Sequence, residues 1–539
     1  MVILMAFAIE QNTQLSNQLR FLLFEIGIGF TPRAMDSFLI QAHAIVFNHF
    51  TQLARQEHLP LQQVFPLGIS ETIAEFKKSC YQQNPASRFY QWDKIEKYLY
   101  KQLIQTCLQA AWNHHTQAWI EKQFHQTPAT NQQIFCELSQ WACMINPDFR
   151  LSANNVYASE RELLQYSASF RAKIHLHWLA INIHAENPSS IKLLQELQLL
   201  LQQYFPQQYQ YWQQKISYMM LNPKQYLALP MHPLFWRKIK NTNAIMQNAI
   251  PIPMPQPMHV LNHLGHVSTL DDQSPWFRFH YQPLSTSKAV SLLSHKECID
   301  INKKLQGICI RNRLQILPVL KTINSESSFI LSLQENPHTL ISGSSCLLPI
   351  TALLSHLESH HMLNMFLQKI NVDPMDFFKK FLQAALSSLN LLISDNIALT
   401  LDPQSCLISW DSNKKTCNIF IVNSEVRTFV TSEDEENKQQ ICAHWQYNLL
   451  QMTIQMLISE ITILYGYKAA TLWEYVCTEI ETIFTCFTKT SQTIFYKKQI
   501  FQTRWPAPAF IGSMLNPQQA EYQLNYADNL CFSPQPKMP

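Results

Sequence analysis

Glycine is almost missing. Eight residues in a chain of 539, at positions 27, 29, 68, 265, 307, 343, 466 and 512, compare with roughly 7% in an average protein. None of them fits a G-x-x-x-x-G-K loop or a G-x-G-x-x-G turn, so Walker-type and Rossmann-type phosphate cradles are excluded. A nucleotide, if bound, must be held by side chains. Charge is scarce too, at 15% of residues with a net charge of +3 and a pI of about 8.1, which gives no electrostatic footprint for nucleic acid. The thirteen cysteines contain no C-x-x-C pair, which argues against a zinc ribbon or a disulfide framework and fits a reducing cytoplasm. Long apolar runs are absent as well. Leu449 to Tyr465 is interrupted by Gln451, Gln455, Ser459 and Glu460, so it reads as an amphipathic core helix and implies no membrane partner. The apolar start, Met1 to Ile9, lacks a basic lead and a cleavage site and reads as the opening of a buried helix or strand.

What is present is an ordinary globular composition, 47% hydrophobic in 62.9 kDa, enough for two or three domains. Residues 1–133 carry helical periodicity at Ser16 to Gly27, Arg33 to Glu57 and Trp92 to Phe124, and end in a linker at His125 to Gln133. Residues 134–340 change to short alternating runs, such as Ile174 to Ile183 and Trp276 to Leu284, with one helix at Ser190 to Tyr204. Pro251, Pro253, Pro255 and Pro257 predict an extended loop there. In residues 341–539 helices are expected at Leu348 to Asn371, Pro374 to Leu392 and Glu433 to Gly466, the last opened by a Ser432–Glu435 capping box. Two strands, Ile397 to Trp410 and Cys417 to Val430, are expected to turn near Asn413. His356 and His360 share one face of the expected helix, but without a third ligand a solvated face is the better reading. His177 and Trp178 lie in an alternating run and read as core.

Three phrases carry more specific information: Tyr166 to Ile181 (YSASFRAKIHLHWLAI), Leu229 to Trp236 (LPMHPLFW) and Ser332 to Leu353 (SLQENPHTLISGSSCLLPITAL). In order and wording they resemble the IucA/IucC-type siderophore synthetases, whose members carry Tyr-Ser-Pro-Glu-Phe, Leu-His-Trp-Leu-Ala, Leu-Pro-Val-His-Pro-Trp-Gln and Arg-Glu-Asn-Pro. The resemblance implies an α+β protein with a helical thumb (1–133), antiparallel-sheet fingers (134–340) and a mixed helical and β palm (341–539). It also implies a reaction, in which a citrate-like polycarboxylic acid is joined to an amine or alcohol through an acyl-adenylate, using ATP and Mg²⁺. Partners implied are those small molecules and a homodimer or paralogous synthetase.

Mapped residue by residue, the resemblance shows replacement where the family grips phosphate. Its His-Pro-x-His-Pro-x-x-Lys-x-Arg segment falls on Cys143 to Ser152, where Pro147 and one cation, Arg150, remain. Ser-x-Arg-Thr-Leu falls on His266 to Leu270, keeping Thr269 and losing the arginine to Ser268. Arg278 stands in for a lysine on the next strand, and the arginine of Arg-Glu-Asn-Pro is Gln334. Glu-x-His-x-Gln-Asn, which serves ATP and Mg²⁺, falls on Thr400 to Ser405 and keeps Gln404, with Glu425 a shifted carboxylate for the metal. Lys498 and Arg504 match a basic pair, and His232 matches the family's His-Pro, where closing a strand competes with anion binding. Nucleotide contacts implied are thus Arg150, Thr269, Arg278 and Gln404, with His232, Lys498 and Arg504 as anion candidates. A charge-assisted hydrogen bond contributes about 1.5 to 3 kcal/mol, so roughly five lost ones weigh about 7 to 15 kcal/mol if additive. That loss supports a second reading, a pseudo-synthetase that keeps the scaffold and acts as a binding or regulatory partner.

Overall fold

The computed structural model describes residues 2–60, 68–85, 87, 90–126, 132–143, 159–183, 188–240, 248–262, 265–269, 271, 273–281, 300–304, 314–325, 329–341, 345–354, 356–357, 360–422, 426–428, 435–508 and 522–528. The fold is α+β, and three large apolar cores organise it. The first is helical. Helices Val2–Glu25, Pro32–Gln56, Ile69–Gln83 and Trp92–Gln126 enclose Leu19, Leu23, Met35, Phe50, Phe76 and Leu99. Pro32–Gln56 shows why the sequence folds so: Met35, Leu39, Ala42, Val46 and Phe50 recur every three or four residues and are buried. Thr31 Oγ1 accepts from the Ala34 N–H at 3.2 Å, and Pro32 occupies the first helical position.

The second core lies between two antiparallel sheets and two helices, Pro188–Tyr204 and Pro206–Tyr218. One sheet has six strands in the order Lys173–Ile174, Met258–Val260, His266–Ser268, Trp276–Tyr281, Phe329–Gln334 and Val319–Ser325. The other has three, with His177–Asn182 between Tyr226–Met231 and Ile250–Pro253. The last of these corrects the expected proline loop as far as Pro253; Pro255 and Pro257 lie outside any strand, as expected. Ile252 pairs with Trp178 and Ile250 with Ala180, so Pro251 and Pro253 turn their nitrogens, which have no proton to donate, away from the sheet. Alternate prolines are compatible with an edge strand for that reason. Trp178 is buried in this core, as expected, but Leu179, Ala180 and Ile181 are buried with it, so the strand does not alternate.

The third core holds a four-stranded sheet, Ser345–Pro349, Cys406–Asp411, Thr416–Ile421 and Leu314–Ile316, the last pair parallel. Around it pack Met362–Ile370, Pro374–Ala385, Ser388–Asp395 and a long helix, Glu435–Trp445 continuing to Gln455–Tyr465 through nine π-helical residues, Gln446–Ile454. Gly466, at φ +70°, ends that helix in the left-handed region. The hairpin between Cys406–Asp411 and Thr416–Ile421 forms where Asn413 predicts it. Asp411 Oδ1 accepts from the Asn413 and Lys414 N–H groups, and Lys415 supplies the left-handed residue.

The single helix expected over 348–371 is corrected. A strand ends at Pro349, one helical turn covers Ile350–Leu353, and His356–Leu357 pairs with His360–His361 before a helix resumes at Met362. Leu347 and Leu348 face different cores, so both are buried, and such a run gives no periodicity to tell strand from helix. His356 therefore faces His361 across a hairpin and does not stack on His360 along a helix. The Ser432 capping position lies outside the described residues. No helix among the described residues is long and apolar enough to cross a membrane.

Candidate functional site

A small fourth cluster joins the six-stranded and four-stranded sheets. It contains Phe135, Leu261, Trp276, Leu317, Leu407 and Val422. Strand periodicity determines what the six-stranded sheet presents to this layer. Val267, Phe277, Phe279, Leu331 and Leu333 point into the second core, so His266, Ser268, Arg278, Ser332 and Gln334 point the opposite way, toward the four-stranded sheet. Register aligns them: Arg278 sits between His266 on one neighbouring strand and Ser332 on the other. All five are no more than 1% exposed. Among the described residues, Trp276 Nε1 and Ser409 Oγ are buried without a hydrogen-bond partner. Ser409 alternates with Ile408, which faces the third core, so it too faces the shared layer. Thr269 follows directly and is buried.

His266 and Gln334 bridge the two sheets. His266 Nε2 lies 2.6 Å from Gln334 Oε1 and Nδ1 lies 3.0 Å from Asn262 Oδ1; Gln334 Nε2 donates to Val422 O at 3.3 Å. Burial, and after it the Arg278 charge, push the His266 pKa down to about 3. A neutral ring carries one N–H, so it donates to only one of the two amide oxygens beside it. The position where the resemblance expects an arginine thus holds a neutral amide already engaged at both ends.

On the four-stranded side, the Thr400–Ser405 loop is fixed by its own aspartate. Asp402 Oδ1 accepts from the Gln404 N–H at 2.8 Å and the Ser405 N–H at 2.9 Å, while Oδ2 accepts from Ser405 Oγ at 2.7 Å. The long helix holds the loop from behind: Thr453 Oγ1 in the π-helical segment donates to Leu401 O at 2.6 Å, and Thr400 Oγ1 lies 3.1 Å from Nε2 of His444 in the preceding α-helical turns. Gln404 is buried here. Asp402→Ala is expected to cost about 2 to 3 kcal/mol, because a charged acceptor of three bonds disappears. Asp402→Asn keeps an amide oxygen for both N–H groups and should cost under about 1 kcal/mol. Thermal denaturation of the two variants checks the order; equal losses would show that the negative charge itself is what matters.

The other sequence-derived candidates fall elsewhere. Arg150 and Glu425 lie outside the described residues. His232 caps the helix Pro233–Ile239, its Nδ1 accepting from the Leu234 N–H at 3.1 Å. It is enclosed by the rings of Tyr166, Phe235 and Phe279, and burial, then the charges of Arg237, His177 and Lys238, push its pKa down to about 3. Lys498 is exposed near the end of Ser491–Ile500, and Arg504 is exposed at the start of Arg504–Pro508. Thr269, Arg278 and Gln404 are thus buried on the two facing sheets, while Lys498 and Arg504 stand on the C-terminal elements. Sequence reasoning missed His266 and Gln334 as a pair. The signal available was the polar alternation His266-x-Ser268, Trp276-x-Arg278 and Ser332-x-Gln334 on three strands. Among the described residues, no three His, Cys, Asp or Glu side chains gather as a metal site. With Asp402 committed to its turn, the described residues do not fit a Mg²⁺ ion.

Residues 155–251 match the sequence profile of the IucA / IucC family. A search of curated proteins gives no match. Among solved structures, the petrobactin biosynthesis protein AsbB from Bacillus anthracis str. Sterne is similar at 13% identity, with a TM-score of 0.62 over 85% of this chain and 82% of that one. ATP-bound aerobactin synthetase IucA from a hypervirulent pathotype of Klebsiella pneumoniae is similar at 12% identity, with a TM-score of 0.61 over 85% and 87%. Aerobactin synthetase IucC from the same kind of source is similar at 11% identity, with a TM-score of 0.56 over 79% and 83%. At such identities the structures establish the shared fold, and the sequence match lies on the strands and helices around His232. Residues 155–251 thus carry the sequence profile of the IucA / IucC family, and most of the chain shares the fold of these synthetases.

Proposed function

We propose that the protein serves siderophore biosynthesis as a synthetase-type ligase. A citrate-like carboxylate attacks the α-phosphorus of ATP and releases pyrophosphate; an amine or alcohol then attacks the acyl carbon and releases AMP. The observation that supports this is the donor character of the buried layer between the two sheets. It holds the Arg278 guanidinium, the Trp276 indole N–H and the Ser409 hydroxyl, groups suited to an anion. On this reading Arg278, Thr269 and Gln404 contact the nucleotide with Arg150, and His232, Lys498 and Arg504 remain anion candidates. Any magnesium would arrive on the nucleotide's phosphates, with Glu425 its one candidate protein ligand.

A specific observation favours the second reading, a pseudo-synthetase that binds or regulates a partner such as a paralogous synthetase. The Asp402 carboxylate and the Gln334 amide, which stand where the resemblance places ATP-binding groups, are engaged by the protein's own atoms. ATP–pyrophosphate exchange with citrate and other carboxylic acids, beside direct nucleotide binding, separates the two. Carboxylate-dependent exchange that falls at least about 100-fold in Arg278→Met, near 3 kcal/mol for a charge-assisted contact, is the expected result. Silence in both exchange and binding would reject the ligase and leave the pseudo-synthetase.

A further inference from the structure

The helix Pro206–Tyr218 ends in a tip that takes no part in the layer between the two sheets. Its last turn closes as a Schellman motif: the Leu221 N–H donates to Ile216 O at 3.2 Å and the Met220 N–H to Ser217 O at 2.9 Å. The residue at the left-handed position of this motif is usually glycine. Here it is Met220, at φ +60°, where a side chain is disfavoured because Cβ crowds the backbone. Nothing inside the fold offsets that, since Met220 is 95% exposed and Tyr218 beside it 85% exposed. Met219 is exposed as well. A backbone strain that holds apolar side chains in water points to a use outside the molecule.

Along the chain on either side of the tip the charge has one sign, although Arg237, farther on, pairs with Glu162. Between Glu196 and Asp271 the chain has no Asp or Glu but five cations, Lys215, Lys224, Arg237, Lys238 and Lys240. Lys215 and Lys224 flank the tip and are exposed, and Lys215 Nζ lies 5.3 Å and 6.0 Å from the ring centroids of Tyr211 and Tyr218. A protein partner needs charges placed in pairs with its own. A lipid surface needs only diffuse positive charge around a short apolar tip. We propose that the tip Tyr218–Leu221 docks reversibly on an anionic membrane surface, Tyr218, Met219 and Met220 entering the headgroup boundary and Lys215 and Lys224 facing lipid phosphates and carboxylates. That no helix among the described residues is long and apolar enough to cross a membrane is no obstacle, because peripheral contact requires none.

The test is sedimentation of the full chain with phosphatidylserine–phosphatidylcholine vesicles and with phosphatidylcholine alone. Association on the order of 10³ to 10⁴ M⁻¹ is expected, comparable to or below a single acyl chain, and confined to the anionic vesicles. Tyr218→Ser with Met220→Ser should weaken it about tenfold or more, and Lys215→Gln with Lys224→Gln should remove the preference for phosphatidylserine. Met220→Gly serves as the folding control: it relieves the left-handed strain, so it should raise the melting temperature while still weakening vesicle binding. No sedimentation with anionic vesicles, or equal sedimentation of the tip variants, overturns the proposal. Concentration-dependent self-association without lipid that the same variants abolish would also overturn it, in favour of a second copy as occupant.

Discussion

Gly265→Ala is expected to leave little folded protein. Gly265 has φ +83°, and a methyl group there would lie far inside van der Waals contact with the carbonyl oxygen of Phe279. That oxygen belongs to the backbone of a central strand and cannot swing aside as a side chain would. The same two residues are joined by the Phe279 N–H donating to Gly265 O at 3.0 Å, and the Leu261 N–H donates to His266 O at 2.8 Å on the other side of the turn. Relief of the clash must therefore break the pairing that sets His266 opposite Arg278. The left-handed backbone adds about 1 to 2 kcal/mol, and a lost ladder with buried polar groups behind it brings the total to at least about 4 kcal/mol. Soluble yield and the denaturation midpoint give the readout. Gly27→Ala is the control, because it shares the positive φ, +85°, but has nothing within 4 Å of the added carbon. If the two variants are equally stable, close approach is not what Gly265 provides.

The contrast between those glycines reflects how unevenly the fold is written in the chain. Pro32–Gln56 was legible because its three- and four-residue spacing is local. Trp276–Tyr281 was legible because aromatic and polar residues alternate along it. Ile250–Pro253 was not, since proline reads as a breaker until the strand is known to lie at an edge with its nitrogens facing outward. The stretch 348–371 was not, since leucines feeding two different cores lose the periodicity on which the reading depends. In the site, family wording located the strand carrying Thr269 and the loop carrying Gln404. It did not reveal what replaced the missing cations. Gln334 meets His266 across 68 positions and Val422 across 88, and no local pattern encodes such pairings. Asp402 is a different case: an aspartate whose side chain can accept from the N–H groups two and three residues on is a turn signal, overshadowed here by the resemblance to a catalytic phrase. The π-helical segment that carries Thr453 onto this loop left no mark in the apolar pattern, because one extra residue per turn keeps the same face buried over a short span.

Acid should destabilise the protein well before its carboxylates titrate. His232 and His266 both have folded-state pKa values pushed down to about 3, chiefly by burial, against about 6.5 in an unfolded chain. Between those values the unfolded chain binds protons that the folded one refuses, so stability falls as pH is lowered through this window and is fully present above about 6.5. At pH 5 each histidine costs about 2 kcal/mol relative to pH 7, and the pair about 4 kcal/mol if they act independently. The two sites resist protonation for different reasons. Nδ1 of His232 must stay unprotonated to accept from the Leu234 N–H, so a proton there removes the helix cap as well as charging a ring enclosed by three aromatic neighbours. A proton on His266 places a second buried cation beside Arg278, with only neutral amides to receive it. Burial also pushes His43 and His259 down to about 4, and they add losses of similar size; His232→Asn keeps a capping oxygen and cannot titrate, so its stability loss between pH 7 and pH 5 should be about 2 kcal/mol smaller than that of the unsubstituted protein. Denaturant melts at the two pH values measure this directly, and parallel losses in both proteins would mean that His232 is not one of the groups that holds the fold away from acid.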